Sequence, residues 1–372
     1  MATGEPVLDD TLLLDAAALA AADTGGVLRA AATAGAQVRS AALSADEAGL
    51  ADLVGHRPRA LVLVRRPGAS ATAAPLVAAM LGPACPVPVV VADTVPMWTG
   101  PLDVVVVHTD DATDAELADS IGSAVRRGSD VVLSAPGDGP VAAAGAGRVR
   151  LVEPRLPVPR GLDLPRAFAV GLAVTGALGL LGQGPDDRAG SRLDALADAL
   201  DAEAERNQPG HEPFMNPAKA LALRLADHTP LLWGVDAVAA AVAAHGAAAL
   251  AMHTGVVAHA DDVGRAAALS GLRHALESGS GERDVFHDPF DDPAPTAPAP
   301  RLMLLATGDD DPGQVLLRRT GRPWPVADVL HPVEEIVRGT PYSVVLRAGV
   351  LAARLDIAAV YLGLATRTIE PA

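Results

Sequence analysis

A single cysteine in 372 residues, Cys85, has nothing to pair with inside the chain. That excludes an internal disulfide framework and a cysteine metal cluster, and burial as a small hydrophobe is the expected role. Aromatic residues are also scarce, at 2% of the chain, while half of all residues are hydrophobic. The core must therefore be built from Leu, Val and small residues. Positive charge is in deficit, with 29 Lys and Arg against 45 Asp and Glu for a net charge of −16. A nucleic-acid backbone or an anionic lipid surface finds no cationic footprint here, so neither is an expected partner. The most lipid-like stretch, AFAVGLAVTGALGLLG at 167–182, carries four glycines and falls short of the roughly 20 residues that span a bilayer. It reads as a buried helix. The acidic start MATGEPVLDD lacks the basic-then-apolar order of an export signal, which points to a cytoplasmic protein.

What is present is a rhythm of short β-branched runs, at 59–65, 87–91, 103–108, 130–134 and 148–152, with helical segments at 70–82, 113–127 and 139–146 between several of them. Near-continuous apolar strands alternating with helices predict a parallel sheet covered on both faces, with its ligand beyond the carboxyl ends of the strands. Ala-rich helices precede this domain over 7–53, and helices from about 165 and over 191–205 follow it. The turn formers of NQPGHEPF mark a linker at 207–216. The expected division is a first domain at 1–206 and a second at 217–372. In the second, helices are expected at 217–227, 235–250, 260–277 and 341–366, with strands at 230–234 and 302–307. Residues 278–300 are rich in Pro, Gly and Asp and read as a loop.

Specific blocks carry a resemblance. NPAKALALRLADHTPLLWG at 216–234, LVLVRRPGASATAAPL at 61–76, LPRAF at 164–168 and VEEIVRGTPYSVVL at 333–346 with DIAAVYLGLA at 356–365 fall in one order along the chain. Together they resemble the bifunctional phosphoglucose/phosphomannose isomerases, which are built from two sugar-isomerase (SIS) domains. The resemblance implies an α/β fold of two doubly wound parallel-sheet domains, each three layers αβα, with a long C-terminal helix. It also implies a homodimer, a sugar phosphate or related carbohydrate bound in a cleft between the domains, and aldose–ketose isomerisation without a cofactor.

The same resemblance assigns candidate site residues. Gly68 and Ser70 retain the first half of a phosphate cradle, where a helix N-terminus favours an anion. The second half falls on Thr109–Leu117, so Thr109 and Thr113 are the substrate-binding hydroxyls there, while Asp110, Asp111 and Asp114 crowd the turn. A carboxylate about 4 Å from a phosphate oxygen costs roughly 1 kcal/mol per charge pair even in water. An aspartate at such a place also serves as a helix N-cap. Arg166, in its Pro-Arg-Ala context, and His287 are the catalytic candidates. The position of the family's catalytic Glu falls on Met252 or Gly271, neither a carboxylate, and Asp261, Asp262 and Glu277 are nearby substitutes.

The expectation is a divergent relative with lost or weak isomerase activity. Two alternatives stand beside it: an active isomerase with displaced catalytic groups, and a non-catalytic module binding a cation or an amino sugar at Asp110–Asp114. His245, His253, His259 and His274 lack the i, i+4 pairing of a helical zinc site, and the glycine-rich GDGPVAAAGAG at 137–147 matches no nucleotide fingerprint. No metal is expected.

Overall fold

The structure, a computed structural model, describes residues 8–181, 189–279, 298–321, 324 and 327–369. Two short helices, α1 (Ala16–Ala22) and α2 (Val27–Ala31), open it. The chain divides into two compact units: Arg29–Ala204, and the residues up to Leu28 together with those from Glu205 onward.

In the first unit α3 (Ala34–Glu47) leads to β1 (Ala60–Val64), α4 (Ser70–Leu81), β2 (Val89–Ala92) and β3 (Asp103–His108). Then come α5 (Ala115–Arg126), β4 (Asp130–Ser134), α6 (Pro140–Ala144), β5 (Arg150–Val152), α7 (Leu164–Ala177) and α8 (Ala189–Arg206). The strands form one parallel sheet in the order β2-β1-β3-β4-β5. Every residue of β1 and β3 is buried, which is why both read as unbroken apolar runs rather than alternating ones. Val62, Val105, Val107 and Leu133 from the strands pack with Leu117 and Ile121 of α5.

The second unit contains α9 (Pro217–Leu225), β6 (His228–Gly234), α10 (Ala237–Thr254), β7 (His259–Asp262), α11 (Val263–Ala268) and α12 (Ser270–Gly279). It continues with β8 (Ala299–Leu305), α13 (Pro312–Thr320), β9 (Asp328–Leu330) and α14 (Ser343–Ala365). Its parallel sheet runs β7-β6-β8-β9. Trp233 anchors the core, edge-on to Trp324 with ring centroids 5.5 Å apart. The end of β6 must be glycine, because a Cβ on Gly234 would lie 2.1 Å from the amide nitrogen of Ala240. The expected helix over 260–277 divides into β7, α11 and α12. The HADD strand has no β-branched residue to announce it, and Asp262 ends the strand by capping α11 through the Gly264 amide.

α10 and α14 are each long and apolar enough to cross a membrane by length and composition. Every residue of α14 from Val345 to Ala365 is nevertheless buried within the fold. Its three charges are all paired. Arg347 donates to the carbonyls of Thr307, Gly308 and Ile336 and to Asp309. Arg354 meets Glu335, and Asp356 meets His245 Nε2 at 2.7 Å.

Candidate functional site

The site-forming end of the first unit is where β1, β3 and β4 give way to loops and to the N-termini of α4, α5 and α7. Between β1 and α4 the chain turns at Gly68 with φ +99°, a conformation in which a side chain is strained. Ser70 follows as the first residue of α4. Its Oγ accepts the Arg66 N–H at 2.7 Å and donates to the Arg66 carbonyl at 3.0 Å, so the hydroxyl closes its own turn. The amides of Ala71, Thr72 and Ala73 donate to the carbonyls of Gly68, Ala69 and Ala69 at 3.0, 3.1 and 2.8 Å, so the turn itself takes up the first amides of α4.

The second turn, between β3 and α5, uses its polar groups on itself. Thr109 Oγ1 accepts the Asp111 N–H at 3.0 Å, and Asp111 Oδ1 accepts both the N–H of Thr113 at 2.9 Å and its hydroxyl at 2.6 Å. Asp114 is the N-cap of α5, accepting the Leu117 N–H at 3.0 Å. The hydrogen bonds from the Thr113 hydroxyl and amide hold the exposed Asp111 carboxyl below its ordinary range. Sequence reasoning singled out Thr109 and Thr113 as ligand-facing hydroxyls; in the structure both are engaged within the turn.

Arg66 joins the two turns. Its guanidinium, 14% exposed, reaches Asp114 Oδ2 at 2.6 Å, Glu116 Oε2 at 3.1 Å and the Asp93 carbonyl at 3.1 Å. Asp110 leans over the first turn, with its Oδ1 3.4 Å from where a Cβ on Gly68 would stand, and pairs with the exposed Arg160 at 3.2 Å. The mouth thus carries four carboxylates, Asp110, Asp111, Asp114 and Glu116, against the guanidiniums of Arg66 and Arg160. An incoming dianion meets a net negative surface.

Beneath the mouth lies a cluster absent from the sequence expectations. His108 ends β3 directly opposite Ser134, the last residue of β4, and this register puts His108 Nδ1 2.9 Å from Ser134 Oγ. His108 Nε2 is 2.9 Å from Asp163 Oδ2, and Arg166 Nη2 donates to the same oxygen at 3.2 Å. Burial keeps His108 below the ordinary imidazole value despite the nearby carboxylate. Burial pushes Asp163 upward, yet the hydrogen bond from His108 and the charge of Arg166 leave it net below its ordinary value. A neutral His108 beside an ionised Asp163 carries its proton on Nε2, and so accepts the Ser134 hydroxyl at Nδ1. The trio has the composition of a nucleophilic relay, but Ser134 is fully buried, which leaves its oxygen no path to a substrate. It acts as a clamp between β3, β4 and the start of α7.

Asp163 is the N-cap residue of α7 and makes no side-chain cap bond, because its carboxylate turns to His108. Its Oδ1 and Arg166 Nε are buried with no hydrogen-bond partner among the described residues. Arg166 is therefore placed at this end of the sheet, held by Asp163, with donor capacity in reserve. His287 lies outside the described residues. Of the substitute acids, Asp261 pairs with Arg265 at 2.6 Å and Asp262 with Arg319 at 2.7 Å. Glu277 is exposed on α12, as is Met252 on α10. Among the described residues no group of three or more His, Cys, Asp or Glu is arranged to hold a metal ion.

No protein-family model matches the sequence and no curated protein matches it. Solved structures do. A Bacillus subtilis protein described as a phosphosugar isomerase aligns with a TM-score of 0.59 at 16% identity, covering 90% of this chain and 95% of its own. The C-terminal domain of glucosamine-fructose-6-phosphate aminotransferase from Francisella tularensis aligns at 0.58 and 12% identity, covering 92% and 96%. Tagatose-6-phosphate ketose/aldose isomerase from Escherichia coli aligns at 0.56 and 12%, covering 91% of each chain. The fold is that of the SIS-type phosphosugar isomerases. At these identities the likeness concerns the fold alone, and it does not single out the bifunctional phosphoglucose/phosphomannose isomerases within that fold.

Arg66, His108, Ser134 and Asp163 are the residues that sequence reasoning missed. The available signals were a histidine closing an apolar strand and an aspartate three residues before Arg166. Neither reveals a partner, because the pairings join residues 48 and 55 positions apart.

Proposed function

We propose that this protein is a divergent member of the phosphosugar-isomerase fold that binds a carbohydrate derivative at the carboxyl end of its first sheet, with isomerase activity lost or weak. The observation that carries the reading is the self-closed second turn: Asp111 and Asp114 satisfy the amides that a phosphate would need, and Arg66 is held by Asp114 and Glu116. Gly68 and Arg166 lie at this end of the sheet, whereas Ser70 is buried with its hydroxyl spent on the Arg66 backbone, which supports weak phosphate binding; the implied homodimer belongs to the same proposal. The test is turnover of glucose 6-phosphate and mannose 6-phosphate against fructose 6-phosphate, with solvent-deuterium exchange at C2 as the sensitive arm. Background rates are expected. Robust turnover abolished by Arg166→Ala would overturn the reading in favour of an active enzyme.

A second reading is favoured by the four-to-two excess of carboxylates at the mouth: the ligand carries a cationic group, as an amino sugar does. Calorimetry with glucosamine should then show binding that Asp110→Asn weakens. Equal heats from glucosamine and glucose would remove this reading and leave the first intact.

A further inference from the structure

At the opposite end of the same unit lies a cavity of about 490 Å³, within the range of small-molecule sites. Val54 and Arg57 line it from the segment before β1, Val87 from the segment before β2, Ala177 and Leu178 from the end of α7, and Arg192 from α8. The cradle sits at the N-terminus of α7 and this cavity at its C-terminus, so 14 residues of helix, roughly 20 Å, separate them.

The walls are largely aliphatic, including Val54 at 67% exposure, an unusual degree for a side chain facing a concavity. The described lining residues contain two arginines and His56, and no acid. Arg192 is buried against the last turn of α7, where a Cβ on Gly176 would lie 3.3 Å from its Nη1, and there it opposes the negative end of the helix. Arg57 is exposed, and among the described residues it has no ion pair or hydrogen-bond partner. In a chain of net charge −16, a concave apolar wall edged by an unpaired cation is a specific feature.

We infer that this cavity binds an amphipathic monoanion, a carboxylate with a medium-length apolar tail: the tail covers Val54, Val87 and Leu178 and the carboxylate pairs with Arg57. Arg192 is already engaged within the fold, so Arg57 is the guanidinium open to a ligand, and it matches a single carboxylate with a bidentate pair better than a phosphate dianion.

The test is calorimetry with hexanoate, octanoate and decanoate, with octanol and octyl phosphate as comparators. Affinity should rise roughly threefold to fourfold per added methylene. Octanoate should bind at least tenfold more tightly than octanol, and more tightly than octyl phosphate. Arg57→Glu, a surface change that leaves the fold intact, should abolish the preference for octanoate over octanol, and Ala177→Phe should block the ladder by filling the cavity. Ser70→Ala, at the cradle, should leave octanoate binding unchanged, so failure here is distinguishable from failure of the proposed sugar site. The inference is overturned by equal binding of octanol and octanoate, by an unchanged preference in Arg57→Glu, by tighter binding of octyl phosphate, or by no heat from any chain length.

Discussion

Asp114 does two things at once: it caps α5 through the Leu117 amide and holds Arg66 at 2.6 Å. Asp114→Ala loses both and is expected to cost about 1–3 kcal/mol in urea unfolding, the sum of a cap and a half-buried pair. Asp114→Ser keeps a capping oxygen without the charge and should recover about half. If both variants match the parent, the turn is not held by this residue. The cap was legible in the sequence, since Asp before an amphipathic segment is a local signal. Arg66 was not, because its partner is supplied by tertiary structure. Acid should act on the buried histidines. Burial lowers the pKa of His108, His253 and His331, so below about pH 6.5 the unfolded chain binds protons that the folded chain refuses. Stability is therefore full above that pH and falls as pH drops, by up to about 1.4 kcal/mol per pH unit for each histidine. Denaturation midpoints at pH 7.5, 6 and 5 should decline, and His253→Gln should flatten part of the slope. A midpoint that rises toward pH 5 would contradict this.

At the scale of elements, the first sheet was readable because its strands are short runs rich in Val and Leu, with the central β1 and β3 buried along their whole length. The second was readable only in its centre. β6 and β8 announce themselves with apolar runs, whereas the edge strands β7 (HADD) and β9 (DVL) carry acids and lie where one flank is unpaired. Their identity follows from register with β6 and β8, which no local pattern encodes. The join between α9 and its surroundings rests on Lys219, whose ammonium donates to the carbonyls of Leu13 at 2.6 Å, Pro209 at 2.7 Å and His211 at 2.9 Å. Burial lowers its pKa, yet three acceptors and the Tyr361 ring 5.5 Å away suit the charged form. Lys219→Met should keep the volume and leave three carbonyls wanting a donor, at about 2–4 kcal/mol. Sequence resemblance marked NPAK as a signature without saying why; the carbonyl cage supplies the reason. At the end of β6, Gly234→Ala should be at least as damaging, because backbone and not a side-chain tip stands in the way. A thermal midpoint within 2 °C of the parent for either variant would show that the local geometry relaxes more easily than these contacts imply.

For the whole molecule the balance of charge decides between two opposite salt responses. Many of its ion pairs are exposed on at least one side, such as Arg39 with Asp198 and Arg318 with Asp310, and pairs of this kind contribute about 0–1 kcal/mol each. Screening them would make salt destabilising. Against that stands a net charge of −16, whose self-repulsion is relaxed by the same screening. The acids outnumber the bases by 16, and they gather locally as well, with four carboxylates to two guanidiniums at the cradle mouth. Repulsion should therefore dominate while the Debye length shrinks from about 30 Å at 0.01 M to about 8 Å at 0.15 M. Raising sodium chloride over that range is expected to stabilise the fold by on the order of 1 kcal/mol, read as a higher urea midpoint at pH 7.5. The acid-reducing variant Asp110→Asn should show a smaller gain than the parent. A midpoint that falls with salt would mean that the paired charges outweigh the unpaired excess, and would weaken the case that the acidic mouth repels a phosphate.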